Sequence, residues 1–393
     1  MTLVDIISNG GLLCDGDWIE KKDQDVRGKV RLIQLADIGD GEFKDKSSKY
    51  ITLETAERLH CTFLEKGDIL IARLPEPLGR ACIFPLEGAY ITAVDIAILR
   101  IKDISINPQY IMYLINSSTF RSQIKQYESG TTRKRISRKN LEKIEFSLPN
   151  LEIQNRIVAR IEELFSKLDK AVDTLKTTKE QLTVYRQAVL KDAFSSCETQ
   201  AKIKDVCYHV TDGDHMPPPK ATQGIPFIMI SNIQNNHVNW TATNFVGEEY
   251  YKQIGEKRTP RKGDILYTVT GSFGIPVMID FDKKFCFQRH IALLRPNAAI
   301  RQRFLYYALQ SPAVYSQATK RATGTAQKTV GLSTLRDISI PYTSDLLMQE
   351  NIELEVKKRL CACDHIEKNV DTVLAQADAM RQSILKQAFE GKI

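Results

Sequence analysis

Two long stretches of this chain repeat apolar side chains in steps of four and three, and the regions before them alternate short β-branched runs with turns. The first stretch follows Leu148-Pro149-Asn150 and carries Ile157, Ile161, Leu164, Leu168, Ala171, Leu175, Leu182, Tyr185 and Val189, with Thr178 in one slot. This is a heptad seam, and it predicts one continuous helix. The second reads Ile352, Val356, Arg359, Cys363, Ile366, Val370, Val373, Ala377, Met380 and Ile384 in the same register. A helix of roughly 40 residues is about 60 Å long at 1.5 Å per residue. Two such helices bury their narrow stripes most economically against each other. The expected pairing positions are Ile157, Ile161, Leu168, Leu175 and Leu182 on the first helix, and Val356, Val370, Val373, Met380 and Ile384 on the second.

The regions ahead of the helices read differently. Runs such as Lys29-Val-Arg-Leu-Ile-Gln-Leu35 and Ile69-Leu-Ile-Ala72 are strand-like, and Gly39-Asp-Gly41, Gly67-Asp68 and Pro75-Glu-Pro77 are turns. One helix is expected over Pro108 to Tyr127 and its counterpart over Arg301 to Thr319. The fold class is therefore mixed α+β, with mostly antiparallel sheets. Globular regions 1–149 and 198–345 are each followed by a long helix, at 150–197 and 346–393.

The two globular regions match one another. KGDIL occurs at Lys66–Leu70 and again at Lys262–Leu266, and Asp15-Gly-Asp17 is echoed by Asp212-Gly-Asp214. Ile96-Ala-Ile-Leu-Arg100 answers Ile291-Ala-Leu-Leu-Arg295, and Ser129-Gly-Thr131 answers Thr323-Gly-Thr325. Ile33–Ile38 aligns with Ile228–Ile233, and Gln187–Phe194 with Gln382–Phe389. These matches keep one order at offsets of 194 to 197 residues, so the chain is an internal duplication. KGDIL itself reads as a turn feeding a strand.

At 393 residues the chain exceeds the size at which one core keeps growing, which agrees with two domains. There is no secretory or membrane-spanning pattern, so a cytoplasmic location is expected. The eight cysteines show no Cys-x-x-Cys pair and read as reduced thiols. The net charge is +7, yet Asn150–Phe194 and Leu347–Glu390 together carry −1, which leaves +8 on the rest of the chain. A basic excess on the globular regions points to a polyanion.

Catalytic chemistry is absent from the motifs. There is no phosphate-binding Gly-rich loop, no dinucleotide fingerprint and no Asx-Pro-Pro-aromatic loop, and the histidines lack metal-ligand spacing. Asp17-Trp-Ile-Glu-Lys-Lys22 holds acids too close together for a nuclease site. No metal is expected, and His209, His215, Asp212 and Asp214 read as a hydrogen-bonding loop.

The positive signals are for binding. Thr131–Asn140 places five Lys/Arg in ten residues, with Thr132, Arg133, Lys134, Arg135 and Arg138 as candidate DNA contacts. Lysine and arginine neutralise phosphates, and arginine also pairs with guanine. The stretch Thr319–Lys328 offers Lys320, Arg321, Thr325, Gln327 and Lys328, glutamine being a natural adenine reader. Trp18 and Lys21 beside the first Asp-Gly-Asp, and His215 and Lys220 beside the second, complete the candidate set. The alternative is a coiled-coil scaffold for protein partners, with incidental basic loops.

The arrangement resembles the specificity subunits of type I restriction–modification systems, the HsdS family. The resemblance rests on Leu148-Pro-Asn-Leu-Glu-Ile-Gln-Asn-Arg-Ile157 through Leu190-Lys-Asp-Ala-Phe194, with a second echo from Pro341 to Ile352 and at Leu385–Phe389. Thr211-Asp-Gly-Asp-His215 followed by Gly224–Ile233 looks like the opening of a target-recognition domain in that family, and Asp15–Trp18 with Leu32–Ile38 like a variant. The resemblance implies a non-catalytic chain in which each globular region reads part of a bipartite, asymmetric site on double-stranded DNA. The two antiparallel helices would set the spacer and dock methyltransferase subunits, two by the family pattern. S-adenosylmethionine, ATP and Mg would belong to those subunits and to motor-endonuclease subunits, with no cofactor on this chain and no membrane partner. Asp345-Leu-Leu-Met-Gln349 is less regular than Asn150-Leu-Glu-Ile-Gln154, which leaves the start of the last helix open.

Overall fold

The computed structural model describes residues 1–7, 10–75, 77–131, 133–216, 218–241, 243–325 and 327–393. The chain forms two compact units, Met1–Thr174 with Thr372–Ile393 and Leu175–Asp371, so each takes one globular region and part of both long helices.

The first unit contains β1 (Leu12–Asp15), β2 (Val30–Ile33), β3 (Lys49–Ile51), α1 (Leu53–Arg58), β4 (Ile69–Ala72), β5 (Ala81–Ile83), β6 (Tyr90–Thr92) and β7 (Ile96–Arg100). Then come α2 (Pro108–Asn116), α3 (Ser118–Gln126), α4 (Arg138–Leu141) and the beginning of α5 (Leu151–Ala193). One sheet is antiparallel in the order β1-β7-β4-β5, and a second, β3-β2-β6, pairs β2 with β3 antiparallel and with β6 parallel. The central strands β4 and β7 are apolar on both faces because both faces are covered. Ile69, Ile71, Ala97 and Leu99 pack against Ile111, Ile115, Phe120 and Ile124 of α2 and α3. Leu70, Ala72, Ile96 and Ile98 point the other way, onto Ile33, Ile38 and Phe84.

The second unit holds the end of α5, then β8 (Thr199–Lys202), β9 (Cys207–Asp212), β10 (Ile225–Ile228), β11 (Ile233–Gln234), β12 (His237–Val238), β13 (Asn244–Val246) and α6 (Glu248–Gln253). It continues through β14 (Ile265–Thr268), β15 (Pro276–Met278), β16 (Cys286–Phe287), β17 (Ile291–Pro296), α7 (Gln302–Leu309), α8 (Pro312–Arg321), α9 (Leu332–Arg336), β18 (Ser339–Tyr342) and part of α10 (Leu346–Phe389). Its sheets β15-β14-β17-β9 and β13-β10-β16 have the order and directions of the first unit's pair, and β8 with β18 and β11 with β12 add two ribbons. The mixed α+β class and the duplication are thus present in the strand order itself.

The repeated motifs turn out to touch each other. Gly67 and Gly263, at φ +99° and +98°, turn the chain into β4 and β14. The aspartate that follows is buried and grips the arginine of IAILR or IALLR on the neighbouring strand. Arg100 donates Nε to Asp68 Oδ1 at 2.8 Å and Nη2 to Oδ2 at 2.7 Å. Arg295 does the same to Asp264, at 2.8 Å for both bonds. In both cases the aspartate holds the guanidinium protonated beyond its ordinary strength. The second aspartate oxygen also accepts a backbone N–H, from Glu65 or Arg261. KGDIL and IAILR/IALLR are two halves of one buried bridge.

A second duplicated fastening lies at the start of each long helix. Gln154 and Gln349, both buried, accept the backbone N–H of Asn107 and Arg301 at 2.8 Å. Each side-chain amide then donates to two carbonyls, Ser105 and Pro149 for Gln154, Ala299 and Thr343 for Gln349. The less regular second tail therefore places its glutamine as the first does, and α10 begins at Leu346.

Two expectations are corrected. The helices expected over Pro108–Tyr127 and Arg301–Thr319 are each two helices, broken at Ser117 and Ser311. Ser117 is extended and caps α3 by accepting Phe120 N–H, and Ser311 is extended ahead of Pro312, whose ring opens α8. The helix stripe is also displaced. Within the second unit the helices pair antiparallel: Lys179 reaches Asp371 at 2.7 Å, Arg186 reaches Asp364 at 2.8 Å, and Arg359 reaches Asp192 at 2.7 Å. Val356, Val370 and Leu182 are buried there, while Leu175 is half-buried. Within the first unit Ile161 is buried against Leu385 and Ala388, with Ile157 and Phe165 beside them, and Leu168 is half-buried. Val373 and Met380 are instead 43% and 48% exposed. Leu374, Ala377, Arg381 and Leu385 occupy the inner face, with Ile384 half-buried at its margin. An α-helix of 3.6 residues per turn drifts about 20° per heptad against a 3.5 repeat, so a strict heptad assignment slips by one position along α10.

Candidate nucleic-acid interface

In each unit a closed loop that carries several of the sequence candidates is tied to one end of the antiparallel sheet. In the first, β1 ends at Asp15, β4 ends at Ala72 and β7 begins at Ile96, all in register. The turns beyond them are tied together: Gly16 N–H donates to Ile96 O at 2.8 Å, and Arg73 N–H to Asp95 O at 3.0 Å. The basic segment joins this end through Ile136 N–H to Arg73 O at 3.1 Å. Ahead of that bond, Ser129 and Arg135 exchange two backbone hydrogen bonds of 2.9 Å, closing a seven-residue loop.

The second unit repeats the construction. Val269 N–H donates to His290 O at 3.0 Å and Val330 N–H to Val269 O at 2.8 Å. Thr323 and Thr329 close the loop with bonds of 2.9 and 2.7 Å. Gly130 and Gly324 have φ of +96° and +105°, and a Cβ on either would lie 2.4 Å from the carbonyl oxygen of Arg133 or Gln327. Only glycine fits the second place of this loop.

Each candidate then has a definite place. Arg133 and Arg135 are exposed in the first loop, where Lys134 pairs with Glu128 at 2.9 Å; Thr132 lies outside the described residues. Arg138 is at the start of α4, paired with Glu142 and with Asp15 at 3.5 Å. Trp18 is 71% exposed and donates Nε1 to Glu20 at 3.5 Å, and Lys21 is exposed in the adjoining turn. Thr325, Gln327 and Lys328 are exposed in the second loop. Lys320 and Arg321 are not in that loop: they form the last turn of α8, and Arg321 donates to Asp337 O at 3.2 Å. The equivalence in space is 129–135 with 323–329, so these two cations have no counterpart among the basic residues of the first loop.

His215 and Lys220 border a cavity of about 280 Å³, lined also by Phe227, Met229, Phe245, Gln288 and His290. His215 Nε2 is hydrogen-bonded to Asp212 Oδ2 at 2.8 Å, and Tyr250 donates its hydroxyl to Asp214 at 2.5 Å. Asp17, the counterpart of Asp214, is held by Thr62 N–H, and burial pushes its carboxyl up to about 6. Burial, with Arg289 adjacent, holds His290 below the ordinary imidazole value.

Sequence reasoning missed Arg73 and Arg258. Arg73 faces Asp15 at 3.2 Å, and Arg258 lies 3.5 Å from Asp212 and 3.8 Å from Asp214. A cation directly after the Ile-Leu-Ile-Ala strand was a usable signal for Arg73; nothing in the local pattern marks Arg258. Among the described residues no group of three or more His, Cys, Asp or Glu is arranged to hold a metal ion, and no helix is long and apolar enough to cross a membrane. All eight cysteines are free thiols. The site has cations, amides and hydroxyls on fixed loops, which equips it to bind an anionic, hydrogen-bonding surface.

Comparison with known proteins agrees with this construction. The specificity subunit of the type I restriction enzyme EcoBI of Escherichia coli is 25% identical over 307 residues, which covers 70% of this chain and 64% of that protein. The chain thus spans less than two thirds of that relative's length. Among solved structures, a chain from a study of complex assembly and conformational transition in a type I R-M system superposes with a TM-score of 0.71 at 18% identity, covering 98% of this chain and 99% of that one. The HsdS subunit from Thermoanaerobacter tengcongensis gives 0.58 at 17% identity, with 98% of each chain covered. At these identities the structures show a shared fold. The sequence profile of the type I restriction modification DNA specificity domain matches twice, over residues 11–184 and 199–352, once on each repeat. With both matches covering most of its length, this chain belongs to the type I restriction modification DNA specificity domain family.

Proposed function

We propose that this chain is the DNA-specificity subunit of a type I restriction–modification complex and itself carries no catalytic site. Each unit reads one part of a bipartite, asymmetric site with the loops at the end of its antiparallel sheet, and the long helices set the distance between the two readings. The observation that carries this is the duplicated closed loop, 129–135 and 323–329, on the same scaffold but with different exposed side chains. Two readers of different half-sites need that combination. The exposed helix faces dock methyltransferase subunits, two in number, with motor-endonuclease subunits joining the full complex inside the cell. S-adenosylmethionine, ATP and Mg act on those partners.

Binding to random duplex DNA should fall steeply with salt, because cations that neutralise phosphates release counterions. A protein adaptor would show neither the affinity nor the slope. The ruler is tested by inserting four residues in the middle of α5, about one turn and 6 Å of helix. The preferred spacer should lengthen by about two base pairs of 3.4 Å each. An unchanged spacer would remove the helices from that role.

A further inference from the structure

The two closed loops resolve an equivalence that linear alignment leaves ambiguous. Ser129-Gly-Thr and Thr323-Gly-Thr open them, Lys134 and Lys328 occupy the sixth place, and the closing backbone bonds are the same. The fifth place differs in chemistry: Arg133 in one loop, Gln327 in the other. At both, the backbone carbonyl is turned in toward the glycine, and the residue is exposed. Neither side chain makes a hydrogen bond or ion pair among the described residues. The Gln327 amide rests beside Gly271, where a Cβ would come within 3.0 Å of Nε2. The loop is held on that side by Gly271 N–H donating to Lys328 O at 2.9 Å. The fifth place of each loop thus presents an exposed hydrogen-bonding side chain that is not spent among the described residues.

The two side chains offer different patterns. A guanidinium carries only donors, which suits the paired O6 and N7 acceptors on the major-groove edge of guanine. A carboxamide carries one donor and one acceptor side by side, which suits N7 and N6–H of adenine. We propose that Arg133 and Gln327 are equivalent specificity-determining residues, Arg133 selecting a guanine in one half-site and Gln327 an adenine in the other. This rests on the DNA-reading function proposed above and goes further, by assigning one base to one residue in each unit.

The test selects bound sequences from a random duplex library with the full chain, as wild type, Arg133→Gln and Gln327→Arg. Arg133→Gln should convert one guanine preference to adenine, and Gln327→Arg one adenine preference to guanine, each by about ten-fold. The half-site read by the unaltered unit should be unchanged, which also shows that the variant is folded. Arg133→Lys should weaken the guanine preference without creating another, because an ammonium lacks the planar pair of donors. Enrichment of a bipartite motif that neither exchange alters, or that both alter in the same half-site, would overturn the assignment and leave the wider function intact. No enriched motif with the wild type would overturn the DNA-reading function itself.

Discussion

The buried bridges and the exposed loops of the two units differ in how far duplication has been allowed to diverge. Asp68 with Arg100 and Asp264 with Arg295 repeat the same four atoms and the same distances within 0.1 Å. Loops 129–135 and 323–329 repeat their backbone bonds but exchange Arg133 for Gln327 and Arg135 for Thr329. Identity between the copies is concentrated where an unpaired group would be buried. Difference is concentrated where a side chain meets solvent, and there it changes chemistry without disturbing the loop that carries it.

The bridges give the largest expected effects. Arg295→Met leaves Asp264 charged and buried, and removing one partner of such a pair costs about 3–5 kcal/mol. Arg100→Met should cost less, because the Arg100 side chain is 15% exposed against 5% for Arg295. Thermal or denaturant unfolding checks both; equal losses would mean that burial does not set the cost. Next are the glutamine fastenings. Gln349→Leu removes the partner of the half-buried N–H of Arg301, and Gln154→Leu that of Asn107, each at a cost of about 1–3 kcal/mol. Helix ion pairs come third. Arg381 with Asp169 and Arg186 with Asp364 are the same pair in the two copies, both partly exposed, so Arg381→Ala and Arg186→Ala should each cost about 1 kcal/mol or less, and less still in high salt.

The units should also differ in pH response. Burial raises Asp17 from 3.8 to about 6, so the folded first unit binds this proton more tightly than the unfolded chain does. Its contribution is present below about pH 4 and is lost as pH rises through about 6. Asp17→Asn should flatten the stability profile in that window; a profile with the slope retained would place its source elsewhere.

The sequence made the duplication, the α+β class and the two helices legible because these rest on local periodicity and on matched spacing. It did not pair KGDIL with IAILR, although both repeats were visible, because that contact depends on strand register between segments some thirty residues apart. Ser117 and Ser311 divide helices whose apolar pattern continues across them, Ser117 by capping α3 and Ser311 as the extended residue before Pro312. Val373 and Met380 were placed inward by a strict heptad, from which a helix of 3.6 residues per turn drifts. Among the candidate contacts, residue type and the repeat pointed to Arg133, Gln327, Trp18 and His215, and all four are exposed. Lys320 and Arg321 were misassigned to the loop because charge alone does not say where a helix ends. Arg73 and Arg258 reach the same sheet ends from segments whose position only the fold supplies.

If the scaffold is shared and the closed loop does the reading, exchanging the loop whole should move the preference with it. Residues 129–135 of the full chain are replaced by Thr323-Gly-Thr-Ala-Gln-Lys-Thr329, and bound sequences are selected from random duplex DNA. The half-site read by the first unit should change toward that of the second, with the spacer and the other half-site unaltered. An unchanged motif, or loss of both half-sites in a chain that unfolds like the wild type, would contradict it.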